Sequence, residues 1–420
     1  MRRLMAMLAA VLLAQLCCAG QVNSADQWRQ DIDTLVSGLS AAGTTVDCSR
    51  GIASRGQKDF AKLYPPATFQ PAVAAVKDSV AGLSDSEIVL RLMQLMASAH
   101  VAHNIVQIPK GMGFERRLPI SFGWFADGLT VIGATQTYTE TIGLRVQNIG
   151  SLMPPQLLEA ASPFLSHENH AWLYAIGPGF LELQPVLDHL RVLNPDGSVT
   201  VTLESAGHEP LVVKLSFAAS QEARVNLWTA LNITPPLFWP QPGKKYLSHY
   251  LQDSQTVYIQ YNQCANDGSE SFGAFTRSVM HEIDTHPVER VLIDLRWNGG
   301  GDSRVIAPLK KALASRPKLA GHIYVAMGQN TFSSALQNAI ELKQELAAAL
   351  VGEPAGGSPN GYGEVKTMTL PNSKLVVRYT SRYYSSPLSG TSLVPDILAP
   401  LTLHDVTSSH DPALAAILAK

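Results

Sequence analysis

The spacing of apolar residues changes along the chain and predicts several regions. Residues 21–116 show helical spacing, with apolar positions recurring every three or four residues. Residues 117–215 carry short alternating runs separated by Gly, Asn and Asp, which is typical of a small β-rich domain. A proline-rich stretch, 216–245, is predicted to be a linker. In 246–420 strands alternate with helices, which indicates an α/β domain with a largely parallel, buried sheet.

The individual elements follow from the same periodicities. Predicted helices span 27–39, 88–96, 155–164, 270–285, 302–314 and 334–349. Predicted strands span 118–122, 129–132, 144–149, 199–203, 211–215, 257–261, 288–295 and 322–327, and a further strand begins at 350. The chain is therefore predicted to be an α/β protein of several domains.

The first 20 residues have the pattern of a secretory signal peptide. Arg2 and Arg3 precede a short apolar stretch, 5–16, and small residues follow at 17–20. A lipid-modified Cys17 or Cys18, or an uncleaved anchor, are the alternatives. The pattern predicts a periplasmic or secreted protein, and because no second long apolar run follows, no membrane span is expected in the mature chain.

Net charge and cysteine content limit which partners and which covalent links are expected. The 420 residues carry a net charge of −2 and no basic stripe, so nucleic acid is not an expected partner. Cys48 and Cys264 remain after signal removal, and they form either a disulfide or two buried thiols. Oligomeric state is left open by the sequence.

Metal chemistry is not expected. His281 and His286 lie five positions apart, so on a helix they would point to different faces. The stretch 167–170 offers His167, Glu168 and His170, with no further ligand nearby. No metal site and no cofactor are predicted. The Gly-x-Ser-x-Gly elbow of α/β-hydrolases is also missing from the sequence.

A glycine-rich loop, 296–302, follows the predicted strand 288–295. Its glycines, Gly299 to Gly301, allow the backbone to approach a ligand closely and present N–H groups, as an oxyanion hole requires. A flexible turn is the alternative. A phosphate-binding loop is disfavoured because no Gly-Lys-Ser/Thr follows.

A second loop, 328–335, places Ser333 and Ser334 where a strand turns into a helix. Free N–H groups and the positive end of the helix dipole favour an alkoxide at such a position. A serine that only caps the helix is the alternative.

The strings DLRWNGGG, NTFSSA, LVGEPAGGSPNGYGE and LVPDI occur in this order over 288–400. Together they resemble the catalytic domain of the C-terminal processing (tail-specific) peptidases and their tricorn-like relatives. Upstream, LRVQNIGSLMPPQLLEAASPFL is similar to a PDZ-like strand–turn–helix. The resemblance implies a crotonase-like ββα catalytic core over 246–420, a PDZ-like domain over 117–215 and an N-terminal helical region.

The resemblance also implies roles for particular residues. Ser333 matches the nucleophile, and the oxyanion hole is assigned to Gly300 and Gly301 together with the amide of Ser334. The lysine that serves as base in the Ser–Lys members is replaced here by Ser358. The base is therefore expected to be a histidine, as in the tricorn-like branch.

In LRLMQLMASAHVAH the expected base is His100, with His103 as the alternative. The acid of the triad has no clear match before the Pro-Asp motif. Glu364 is the chosen candidate, and Glu353 and Asp396 are the others.

The function predicted from the sequence is an exported serine peptidase that cleaves a polypeptide substrate by acyl transfer. A peptide-binding protein that lacks catalysis and an esterase or transpeptidase acting on the cell envelope are the alternatives.

Overall fold

The structure is a computed structural model that describes residues 23–42, 56–204, 207, 209–219 and 222–420. The predicted signal peptide lies outside the described residues. In the described part, helices and five sheets are combined, which confirms the predicted α/β fold class. No helix in this part of the chain has the length and apolar character needed to cross a membrane.

The N-terminal region is helical, as predicted. Its helices are α1 (Ala25–Ala42), α2 (Gly56–Leu63), α3 (Pro66–Ser79) and α4 (Asp85–Ala97), followed by the short strand β1 (Ile105–Val106). Ser84 caps α4 by accepting a hydrogen bond from the Glu87 amide. Apolar side chains of α1 and α4 are buried together, and the Trp28 indole donates to the Asp85 carboxylate at 2.7 Å.

The middle region contains small antiparallel sheets and several helices. Its strands are β2 (Arg116–Arg117), β3 (Ile120–Phe125), β4 (Gly128–Thr135), β5 (Val146–Ile149), β6 (Val199–Leu203) and β7 (Leu211–Leu215). Its helices are α5 (Pro154–Ala161), α6 (His170–Phe180) and α7 (Gln184–His189). The alternating pattern predicted the strands β3 to β7, and the helix expected at 155–164 is α5 with a following 3-10 turn. The helices α6 and α7 were not predicted from the sequence.

The segment predicted to be a linker, 216–245, supplies elements to the middle region. It contains β8 (Ala218–Ala219), β9 (Arg224–Asn226) and α8 (Leu227–Leu231). β8 pairs with β2, and β9 pairs with β4. Only the proline-rich second half of this segment lacks helices and strands, since its prolines cannot donate ladder hydrogen bonds.

The C-terminal region is built on a six-stranded sheet in the order β10-β11-β12-β13-β14-β17. Its elements in chain order are β10 (Tyr246–Leu251), β11 (Thr256–Tyr261), α9 (Phe272–Thr285), β12 (Arg290–Asp294), α10 (Ala307–Ala314), β13 (Ile323–Met327), α11 (Ser334–Leu346), β14 (Ala349–Gly352), β15 (Gly361–Thr369), β16 (Val376–Tyr384), β17 (Ile397–Leu398), α12 (Leu403–Thr407) and α13 (Pro412–Leu418). From β11 to β17 the neighbouring strands are parallel, as predicted, and β10 is antiparallel.

Both faces of this sheet are buried, which explains the continuous apolar runs in its strands. Val291 and Ile293 of β12 pack in the core beneath α9, α10 and α11. Leu292, which points to the opposite face, packs in the core that extends into the N-terminal and middle regions.

A long hairpin, β15–β16, joins the C-terminal region to the N-terminal region. β16 pairs with β1, with Ile105 opposite Arg378 and Val106 opposite Val377. This three-stranded sheet was not predicted from the sequence. It fixes the segment that follows α4 against the C-terminal region.

Candidate active site

Ser333 lies between β13 and α11 in a backbone conformation that L-residues seldom adopt. Its φ is +54° and its ψ is −123°, a conformation that costs on the order of 1–3 kcal/mol. The loop is held by neighbours, because the Thr331 hydroxyl donates to the Leu295 carbonyl at 2.8 Å and the Phe332 amide donates to the Asn298 carbonyl at 3.0 Å. The Ser333 side chain does not cap the helix. Its hydroxyl is therefore available for a contact outside the helix.

The Ser333 hydroxyl contacts a histidine that lies far from it in the sequence. His103 Nε2 lies 3.0 Å from Ser333 Oγ, across 230 residues of sequence. When the ring proton is on Nδ1, Nε2 can accept the Ser333 proton, which is the geometry of a general base.

The structure places His103 at the nucleophile, and His100 elsewhere. His100 is exposed, has a φ of +50°, and its ring lies 6.4 Å from that of His167. The structure thus brings His103, the alternative three residues further on, to Ser333 in place of the expected His100. The helical context alone could not separate them, since both follow α4.

Asn104 anchors the His103 segment. Its buried side chain accepts a hydrogen bond from the Thr380 amide at 2.9 Å and donates to the Tyr64 hydroxyl at 3.1 Å. Its main-chain carbonyl accepts from the Ser166 hydroxyl. These contacts, with the β1–β16 pairing, fix the position of the His103 ring.

Aromatic rings shield the histidine. The His103 ring stacks on Phe332 with centroids 4.5 Å apart, and Phe332 stacks on Trp172 at 3.9 Å. Burial and, to a smaller extent, the positive charge of Arg378 lower the pKa of His103 to about 4, although a hydrogen bond to the Tyr362 main chain opposes both effects. The imidazole is therefore neutral, and able to accept a proton, at any pH well above 4.

This pKa predicts a particular pH dependence. A histidine base acts only when neutral, so we expect kcat/KM to be level from about pH 5.5 to neutrality and to fall as the pH drops through about 4. An unshifted histidine would cause the same fall near pH 6.5. The measurement is kcat/KM for a neutral substrate across this range, with recovery of activity after return to pH 7 as the control for acid unfolding. A fall centred near pH 6.5 would contradict the prediction.

The structure brings none of the three candidate acids to His103. Glu364 is exposed and lies beside Arg382 at 3.7 Å and the Tyr384 hydroxyl at 3.4 Å. Asp396 pairs with Lys343 and accepts from the Leu350 amide at 2.9 Å.

Glu353 is half-buried near Arg296 and the Leu401 main chain, and desolvation raises its pKa to about 7 although both neighbours oppose this effect. Within the described residues, His103 Nδ1 is buried and has no hydrogen-bond partner of regular geometry. The site is thus a Ser–His pair in which no acid is seen to orient the ring.

Gly300 packs directly against the nucleophile. Its φ is +106°, and a Cβ at this position would lie 2.8 Å from Ser333 Cβ and 3.0 Å from the Ser334 amide nitrogen. Its own N–H donates to Asn298 Oδ1 at 2.9 Å. Ser334 is the first residue of α11, so its N–H has no intrahelical acceptor.

Gly301 supports the loop from the other side. A Cβ there would lie 2.3 Å from the Cys264 carbonyl oxygen, and the Gly301 carbonyl accepts from the Ser334 hydroxyl at 2.6 Å. Cys264 is a buried thiol whose Sγ donates to Asn338 Oδ1 at 3.4 Å. Cys48, with which the sequence left a disulfide open, lies outside the described residues.

Arg296 fixes the start of the glycine loop. Its buried guanidinium donates to Asp294 at 2.6 Å and to Asp411 at 2.8 Å, and the Tyr258 hydroxyl also donates to Asp294 at 2.7 Å. The cluster ties the end of β12 to the N-terminus of α13. It holds the loop against the sheet without reaching Ser333.

A cavity opens beside Ser333 and His103. It is bounded by α11, by the 357–363 turn and by the end of β16. Its acidic group is Glu168, whose carboxylate accepts from the Ser358 amide at 2.8 Å, and burial raises the pKa of Glu168. From the sequence, Glu168 was considered only as a metal ligand. No motif near it indicates a contact with Ser358, which lies 190 positions later in the chain.

Metal-binding geometry is not found in the described part of the chain. No group of three or more His, Cys, Asp or Glu side chains is placed there to hold an ion.

Comparison with solved structures identifies the fold. The chain matches the structure of mature CPAF complexed with lactacystin with a TM-score of 0.63 and 13% identity, over 94% of this chain and 97% of that chain. A second structure of mature CPAF matches with a TM-score of 0.62 and 12% identity, over 94% and 96%. The photosystem II D1 C-terminal processing protease gives a TM-score of 0.37 and 13% identity, over 85% and 96%. No protein-family model and no curated protein sequence matches the chain. The chain therefore has, over nearly its whole length, the fold of mature CPAF.

Proposed function

We propose that the protein is an exported serine peptidase in which Ser333 is the nucleophile and His103 is the general base. The observation that carries this proposal is the 3.0 Å contact between Ser333 Oγ and His103 Nε2. Two further features support it. Ser333 is held in a strained conformation at the start of a helix, and it opens onto a cavity.

The geometry supports acyl transfer in two steps. Ser333 Oγ attacks the carbonyl carbon while its proton moves to His103 Nε2, and the amine leaves with that proton as the acyl-enzyme forms. Water, deprotonated by the same nitrogen, then releases the acid and restores the serine. The Ser334 N–H and the Gly301 N–H are the proposed oxyanion donors, each worth on the order of 3 kcal/mol of barrier, because the Gly300 N–H is already bonded to Asn298 Oδ1.

The proposed substrate is a polypeptide. The cavity lies between α11 and the β15–β16 hairpin, so an extended chain could enter along the hairpin. The region 117–215, whose strand β7 is an edge of its sheet, is proposed to bind peptide by strand addition. Export rests on the pattern of residues 1–20.

One observation favours a second candidate, a peptide-binding protein without catalysis. His103 has a pKa of about 4, and within the described residues no carboxylate is bonded to its Nδ1, and a base of such low pKa accepts a proton weakly. An esterase that uses the same pair is distinguished only by its substrates.

The test is active-site labelling of the mature protein with a fluorophosphonate, with Ser333→Ala as the matched control. We expect wild type to be labelled at Ser333 and the variant to remain unlabelled. Labelling that survives Ser333→Ala would show that the nucleophile is another residue. A wild type that never labels would support the peptide-binding candidate, and turnover of small esters without turnover of peptides would support the esterase.

A further inference from the structure

The cavity beside Ser333 has two chemically different walls. One wall is apolar and consists of Leu336 and Ile340 of α11 with the ring of Tyr384. The other wall carries the carboxylate of Glu168, next to Gly361, the first residue of β15. Leu336 and Ile340 follow Ser333 along its helix, so the apolar wall begins at the nucleophile itself.

Glu168 faces the cavity without a cation. In the part of the chain that the structure describes, no Lys, Arg or His forms an ion pair with it, and its hydrogen bonds come from the main chain of Ser358 and Ala102. Arg382, on the nearby end of β16, lies beside Glu364 instead.

Gly361 leaves the approach to this carboxylate open. A Cβ at position 361 would lie 3.4 Å from Glu168 Oε1. Because glycine has no Cβ, no side chain at this position stands next to the carboxylate. A partly buried carboxylate without a cation is costly, and a cationic ligand that enters the cavity would remove that cost.

We propose that this cavity receives the side chain of a lysine or arginine of the polypeptide substrate, adjacent to the bond that Ser333 attacks. The inference rests on the proposed function and names its substrate class. The methylene stem would pack on Leu336 and Ile340, while the charged head would bind Glu168. An acidic side chain, or the C-terminal carboxylate of a substrate, would be repelled by Glu168.

The experiment uses peptidyl diphenyl phosphonates that differ only in the side chain beside the phosphorus: lysine, arginine, leucine or glutamate. Second-order rate constants for labelling of Ser333 are measured for wild type and for Glu168→Gln. Glu364→Gln is the matched control, because it removes an exposed carboxylate on the β15–β16 hairpin that borders the cavity. We expect wild type to react with the basic probes about 10- to 100-fold faster than with the leucine probe. Glu168→Gln should lose that preference, and Glu364→Gln should keep it.

The outcomes separate the two proposals. If the fluorophosphonate labels wild type and the leucine or glutamate probe reacts fastest, the inference is overturned and the proposed function stands. An unchanged basic preference in Glu168→Gln, with its fold verified by circular dichroism, would also overturn it. If no phosphonate labels wild type, both proposals fall. The wild-type comparison needs no variant, so it is decisive even if Glu168→Gln does not fold.

Discussion

Replacing His103 with alanine is expected to reduce kcat/KM by about 10²- to 10⁴-fold, the contribution of a positioned general base. Ser333 Oγ would lose the acceptor that now lies 3.0 Å away, and no other histidine is bonded to it in the described residues. The aromatic stack of Phe332 on Trp172 would remain, so the fold around the serine should survive. The measurement is steady-state hydrolysis of a fluorogenic peptide, together with the rate of fluorophosphonate labelling.

His100→Ala is the matched control for this prediction. His100 is the same residue type, three positions earlier, and it is exposed on the surface beside His167. We expect its removal to leave kcat/KM unchanged. A large loss in His100→Ala with little change in His103→Ala would mean that the base is His100 and that the segment 100–104 is arranged differently in the working enzyme.

The regular elements of the C-terminal region could be predicted from the sequence because their signals are local. The strand β12, predicted at 288–295, spans Arg290–Asp294, and the helix expected from Ser334 begins at that residue. A strand buried on both faces requires an apolar run, and a helix that follows it starts where the run ends. Ser333 and the glycine loop could be chosen for the same reason, since each follows such a strand.

The contact of His103 with Ser333 could not be predicted in this way, because it depends on contacts distant in sequence. His103 reaches Ser333 because β1 pairs with β16 and because Asn104 is bonded to Thr380 and Tyr64. No spacing within 90–104 carries that information. Glu168 is a similar case, since its bond to the Ser358 amide joins two loops that have no common motif.

Contacts between residues distant in sequence also explain why the β15–β16 hairpin was not predicted. β15 and β16 carry many exposed and polar positions, so their burial pattern is weaker than that of the central strands. Their role is positional: one end of the hairpin holds the histidine segment, and the other borders the cavity beside Ser333. The active site therefore forms only when the N-terminal and C-terminal regions are joined by this sheet.

Gly300→Ala is expected to reduce the rate of acylation by about 10²- to 10³-fold, comparable to the loss of an oxyanion donor. The added methyl group would lie 2.8 Å from Ser333 Cβ and 3.0 Å from the Ser334 amide nitrogen, and the backbone at φ +106° would be strained with any side chain. Either the loop or the nucleophile must shift, and a displacement of about 1 Å is enough to cost about 100-fold in rate. The measurement is the second-order rate of fluorophosphonate labelling.

Gly299→Ala separates this steric effect from a general loss of loop flexibility. A Cβ at position 299 meets no atom within 4 Å, and Gly299 does not have a positive φ, so alanine fits there without strain. We expect Gly299→Ala to be labelled at the wild-type rate, and both variants to unfold cooperatively in urea. Equal losses in the two variants would show that mobility of the loop matters more than the contact of Gly300 with Ser333. Retention of full activity by Gly300→Ala would remove the glycine loop from the proposed oxyanion site and leave the Ser334 amide, at the start of α11, as the remaining donor.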